Sequence, residues 1–192
     1  REAQIDDIAR AVGINRAIIY RHFTTKEELF AMTLVEYLTE LEVRLNEVGK
    51  SGKPPTERLL AITDEFFIYG AKYPAFVDCA QSLLRQRGSE LLQQISVERL
   101  TELGEVINRC FAQVTAAIIE GNENGTFDVE DPELVTNIMY TQGLGVLNLV
   151  TFQLSIRELN SGLPTMDHLP MPDVVKVAQR AILGMLMPND KA

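Results

Sequence analysis

The chain has no tryptophan, two cysteines (Cys79 and Cys110) and two histidines (His22 and His168) in 192 residues. Two cysteines make no disulfide framework, so a reducing cytoplasm is the natural compartment. So few and scattered His and Cys residues give a metal site of that ligand type little support. No apolar run approaches a membrane span, and no basic-then-apolar signal segment opens the chain. No segment alternates as a strand should, and repeats and low-complexity tracts are missing. Also missing are a nucleophile–base pair in a recognisable local context, a glycine-rich phosphate loop and paired metal ligands. These absences argue against an enzyme. No catalytic residue, metal or cofactor is assigned, and scattered carboxylates on helices read as solvated faces.

What is present is enough apolar material, 46% of residues, to bury a core in a small head plus one larger domain. Basic residues are outnumbered, 18 Lys and Arg against 27 Asp and Glu, for a formal charge of −9. The deficit is uneven. Residues 1–26 hold five basic side chains (Arg1, Arg10, Arg16, Arg21, Lys26) against three acids (Glu2, Asp6, Asp7), or +2, leaving −11 for residues 27–192. A small basic head on an acidic body is compatible with oriented docking on DNA.

The head carries the most specific pattern. Residues 8–23 (Ile8-Ala9-Arg10-Ala11-Val12-Gly13-Ile14-Asn15-Arg16-Ala17-Ile18-Ile19-Tyr20-Arg21-His22-Phe23) read as helix, glycine turn and short helix. Thr24-Thr25-Lys26 then cap a further helix. That is the layout of a helix-turn-helix, whose second helix enters the DNA major groove. Gly13 sits where a steep turn favours positive φ, and Asn15 suits the N-cap of a helix starting at Arg16. Ile5, Ile8, Val12, Ile14, Ile19 and Phe23 supply apolar anchors at helical spacing. Ile19 and Phe23 point into that small core. Ala17, Tyr20 and Arg21 fall on the opposite side, with Arg16 at the exposed first turn. Ile18 lies on a flank, where burial and contact with thymine methyls are both open to it.

Ile8-Ala9, Gly13, Tyr20-Arg21-His22-Phe23 and Lys26 together resemble the TetR family of bacterial transcriptional repressors. The match is dense over residues 5–30. The resemblance implies that Arg16, Ala17 and Ile18 face base edges, while Tyr20, His22 and Lys26 mainly grip phosphates. Arginine can pair bidentately with guanine, and Tyr, His and Lys can donate to phosphate oxygens. Gln4, Asn15 and Arg21 complete the expected DNA-contacting set. Gln4 stands where the family often has a threonine meeting phosphate. The family also places one more helix ahead of this unit. Without it, Ile5, Val12 and Ile19 are expected to lose part of their apolar cover.

The body reads as helical throughout. Leu29, Phe30, Leu34, Tyr37, Leu38, Leu41 and Leu45 predict an amphipathic helix from Lys26 to about Val48, followed by a linker at 49–55. Helices are then expected over 57–72, 75–87, 90–121, 132–160 and 173–187, with Tyr73-Pro74 as a break. Glu120-Gly121-Asn122-Glu123-Asn124-Gly125-Thr126-Phe127 reads as a turn. Gly125 suits a helix-stopping positive φ, and Pro132 suits the first turn of the next helix. Gly143 and Gly145 within a helix cost roughly 1 kcal/mol each relative to alanine, which predicts close helix approach.

The expected fold class is therefore all-α. A helix-turn-helix head occupies residues 1–30 and a helical ligand-binding and dimerisation domain occupies residues 31–192. The last two helices offer apolar faces at Leu144, Leu147, Val150 and Leu154, and at Val174, Val177, Ala178, Ala181, Ile182 and Met185. Those faces suit either a four-helix dimer interface or the intrachain core, and the resemblance favours the interface. A twofold dimer would present two recognition helices to a palindromic duplex operator. The resemblance also implies a small-molecule pocket in the body, for which Phe66, Phe67, Tyr69, Tyr73, Phe76, Phe111, Met139 and Tyr140 are candidates. The expected function is a ligand-responsive, DNA-binding transcriptional repressor. The alternative is a helical ligand- or protein-binding module of the same fold without DNA binding.

Overall fold

A computed structural model describes residues 22–50, 52–152 and 169–188. The DNA-contact candidates Gln4, Asn15, Arg16, Ala17, Ile18, Tyr20 and Arg21 lie outside the described residues. Within them the fold is all-α, with seven helices and no strand.

The first helix, α1 (Lys26–Gly49), starts because Thr25 is extended and caps it. The Thr25 hydroxyl accepts from the Glu28 amide at 3.0 Å, and the Glu28 carboxylate accepts from the Thr24 amide at 2.7 Å. This is a capping-box arrangement displaced by one residue. Leu29, Phe30, Leu34, Leu38, Leu41 and Leu45 then form its buried stripe. Helix α2 (Pro55–Lys72) begins two residues earlier than expected, because proline at a first helical position needs no amide partner. It ends at Tyr73, which the following Pro74 holds out of the helical region, and α3 (Pro74–Leu84) follows.

The single helix expected over 90–121 is in fact two, α4 (Gly88–Gln94) and α5 (Val97–Glu123). Ile95 is extended and buried, and the Ser96 hydroxyl accepts from the Arg99 amide, capping a new helix. Apolar periodicity runs through the junction, so the break was visible only as a serine N-cap.

Helix α6 (Pro132–Phe152) begins at the expected proline, and the expected extension to residue 160 lies outside the described residues. The turn before it matches its sequence. Gly125 has φ of +75°, and the Thr126 and Phe127 amides both donate to the Gly121 carbonyl. Asn122 clasps Val129, donating to its carbonyl at 2.7 Å and accepting from its amide at 3.1 Å. Helix α7 (Met171–Leu186) closes the bundle, and the Leu186 carbonyl accepts from the Asp128 amide.

Helix α1 packs along α5 and also meets α2, α3 and α4, while α6 packs against α2, α3, α5 and α7. A larger apolar cluster lies among α1, α2, α3, α5 and α6. A smaller one joins Leu59, Ile118, Phe127, Met139, Ile182 and Leu186. The close approach expected of the α6 glycines holds at one of them. A methyl group on Gly143 would fall 2.7 Å from a Phe66 ring carbon, whereas Gly145 faces open space. Leu144 and Leu147 are each 1% exposed inside this chain's own core, so neither serves an interface between subunits. Leu147 packs directly on the Gly70 backbone of α2, which fixes it there.

Candidate ligand cavity and the head–body junction

Five helices that expose leucine, aromatic and small side chains at helical spacing do not fill the space they enclose. Helix α1 contributes Leu38, Leu41 and Leu45, and α2 contributes Ile62, Thr63, Phe66 and Phe67. Helix α5 adds Cys110, Phe111 and Val114, and α6 adds Thr136, Met139, Tyr140 and Gly143. The α7 stripe of Val174, Val177, Ala178, Ala181 and Ile182 forms the last wall. The result is a cavity of about 620 Å³, within the usual range for small-molecule sites. Gln142, Leu149, Asp173 and Val177 at its edge are solvent-exposed, so it opens between α6 and α7.

Of the eight sequence candidates, Phe66, Phe67, Phe111, Met139 and Tyr140 line this cavity, and Tyr69, Tyr73 and Phe76 do not. Leu147 closes the gap between α2 and α6 at Gly70. The excluded rings instead pack tilted and edge-to-face on one another, with Tyr69 4.7 Å from Tyr73 and 5.5 Å from Phe76 between ring centroids. Tyr69 is fully buried and donates its hydroxyl to the Tyr37 carbonyl at 2.8 Å. Burial, helped by the nearby Glu40 charge, pushes its pKa well up. Tyr69 and Phe76 are core, and half-buried Tyr73 packs against them. The sequence did not mark the α1 leucines as cavity wall, and for the α7 stripe the resemblance favoured a dimer face over the intrachain core. The α7 signal was present, because Val174, Val177, Ala178, Ala181 and Ile182 keep strict helical spacing, but spacing does not reveal what a face meets.

The polar atoms in the wall are few. Thr63 donates to the Leu59 carbonyl at 2.7 Å, and Thr136 donates to the Pro132 carbonyl at 2.8 Å. The Cys110 thiol points to the Leu38 carbonyl at 3.5 Å, and burial, then the Glu42 charge, pushes its pKa up to about 12. Tyr140 stands between Phe111 and Phe66, with ring centroids 5.3 Å and 6.2 Å away. Burial raises its pKa, so its hydroxyl stays protonated. Asp173 is the one charged side chain lining the cavity among the described residues.

Two DNA-contact candidates fall within the described residues. His22 is exposed, and the Lys26 ammonium lies 5.0 Å from the centroid of the Phe30 ring. Between them and the body stands Thr25, whose hydroxyl donates to the Gln94 carbonyl at the end of α4, at 2.6 Å. One side chain therefore both caps α1 and fastens its start to α4. Among the described residues no helix is long and apolar enough to cross a membrane, and no group of three His, Cys, Asp or Glu is placed to hold a metal ion.

Residues 1–32 match the family described as bacterial regulatory proteins, tetR family. The chain is 28% identical over 128 residues to the HTH-type transcriptional repressor KstR2 of Rhodococcus jostii strain RHA1. That alignment covers 66% of this chain and 59% of the relative, so it spans about three-fifths of the relative's length. A tetR-family regulatory protein from Rhodococcus RHA1 superimposes with a TM-score of 0.68 at 16% identity, over 96% of this chain and 86% of that one. FadR from Bacillus subtilis, solved with stearoyl-CoA, gives 0.63 at 15% identity, over 94% and 87%. At those identities the structural likeness is one of fold.

Proposed function

We propose that the chain, whose residues 1–32 match the tetR family, is a cytoplasmic, homodimeric repressor of that family that releases a palindromic operator when a small molecule fills its cavity. The observation that carries this reading is the double role of α1. Its Leu38, Leu41 and Leu45 are cavity wall, while its first turn begins with the DNA-contact candidate Lys26, four residues after His22. A ligand that pushes on those leucines acts on the element that leads from the head.

The mechanism is a population shift. A ligand binding better to one body conformation favours the head spacing of that conformation, and the shift equals its differential affinity for the two states. The dimer contact falls to the outer surface of α6, away from the cavity mouth, where Leu134 and Ile138 are exposed apolar side chains. Two copies related by a twofold axis would set their recognition segments about one helical turn of DNA apart, or a multiple of it. KstR2 is named a repressor, and the FadR structure holds an acyl-CoA. The first supports repression, and the second supports a small-molecule ligand in this fold.

The experiment is selection of bound duplexes from a random DNA pool at moderate salt. Enrichment of an inverted repeat is expected. Lys26→Ala and Tyr20→Phe should weaken binding to all enriched sequences, Lys26→Ala also flattening its salt dependence, whereas Arg16→Ala should also change the preferred bases. No enrichment from a correctly folded dimer would favour the module without DNA binding.

A further inference from the structure

The cavity wall contains no cationic side chain among the described residues, and its one charged group, Asp173, is an anion at the mouth. A carboxylate or phosphate entering it would lose water without gaining a counter-charge, a penalty of several kcal/mol per buried ion. The hydrogen-bonding groups narrow the choice further. Thr63, Thr136 and Cys110 already point their hydrogens at the Leu59, Pro132 and Leu38 carbonyls. The Tyr140 hydroxyl has no acceptor among the described residues, and Phe66 and Phe111 hold its ring on either side.

Given an effector cavity, as in the proposed function, we infer that it selects an uncharged, largely apolar molecule with one hydrogen-bond acceptor, such as a ketone or ester carbonyl, which Tyr140 recognises. Phe66, Phe111 and Met139 grip its hydrocarbon body, and Tyr140 fixes which end points inward. Acids are rejected on charge. Hydrocarbons without an acceptor lack the directional contact with Tyr140, and the Gln142 amide, exposed at the mouth, stays with water.

The test uses three probes with one chain length: decan-2-one, decanoate and decanoyl-CoA. Their binding to the full chain is measured by calorimetry at neutral pH. Decan-2-one is expected to bind at least about ten-fold more tightly than decanoate. Tyr140→Phe should weaken the ketone by roughly three- to ten-fold, the loss of one neutral hydrogen bond, and leave decanoate unchanged. Ala178→Phe, which fills the cavity from α7, should abolish ketone binding while circular dichroism stays that of the parent.

Decanoate or decanoyl-CoA binding as tightly as the ketone, with Tyr140→Phe neutral and Ala178→Phe still abolishing it, would overturn the ligand class but leave the effector cavity standing. Binding of the ketone that survives Ala178→Phe would overturn the cavity as its site, and the effector reading with it. No binding of the ketone at all would overturn the ligand class alone.

Discussion

Leu147→Ala separates the two readings of α6 that the sequence offers, a face between subunits, which the resemblance favours, and the intrachain core. The side chain is 1% exposed and seated on the Gly70 backbone. Truncation to alanine removes three carbons, which at about 0.8 kcal/mol per buried methylene is roughly 2.4 kcal/mol of lost transfer free energy. Gly70 has no side chain to move into the vacated volume, so most of the cavity persists and adds to the cost. The total should be about 3–4 kcal/mol. For a chain of this length each kcal/mol lowers Tm by roughly 2–4 °C, so the melting point should fall by about 6–16 °C. Thermal melts followed by circular dichroism at two widely spaced concentrations, with sedimentation on the same samples, give the answer. The expected result is a drop of the same size at both concentrations, with the sedimentation coefficient of the parent unchanged. A loss below about 1 kcal/mol accompanied by dissociation into monomers would refute the placement and put Leu147 between subunits.

Three further outcomes are expected. Thr25→Ala removes both the α1 cap and the link to the Gln94 carbonyl. It should cost about 0.5–2 kcal/mol and speed hydrogen exchange at the Glu28 amide, and unchanged exchange there would contradict the cap. Gly125→Ala places a side chain at φ of +75°. It should destabilise by roughly 1–2 kcal/mol in a denaturant titration, and a neutral effect would show that the turn relaxes. Cys79 and Cys110 are both buried, with pKa values raised to about 12. A raised thiol pKa favours folding fully below the unfolded value and loses that contribution as pH climbs towards 12. Neither thiol should react with a disulfide reagent at pH 8 until denaturant is added, and prompt reaction in the native protein would contradict their burial.

The sequence by itself determined most of the helical inventory, because each of those signals is local. The apolar repeat from Leu29 to Leu45, Pro74 after Tyr73, Gly125 and Pro132 act through the backbone conformations of a few neighbouring residues. The Ser96 cap was also local, but unbroken periodicity across Ile95 hid it. The family match at the head was legible for a similar reason, since Gly13, Tyr20, His22 and Lys26 form a compact pattern within fourteen residues.

The cavity was only half legible. Phe66 and Tyr69 are both aromatic, on one helix, three residues apart, and nothing in their chemistry ranks one above the other. What separates them is Leu147 of α6, which packs on Gly70 and leaves open space on one side and a packed aromatic core on the other. The same holds for α7, whose stripe could have met a second subunit and instead walls the cavity. Periodicity states that a face is apolar. Which surface covers it depends on where distant segments pack, and that was decided only by the tertiary structure.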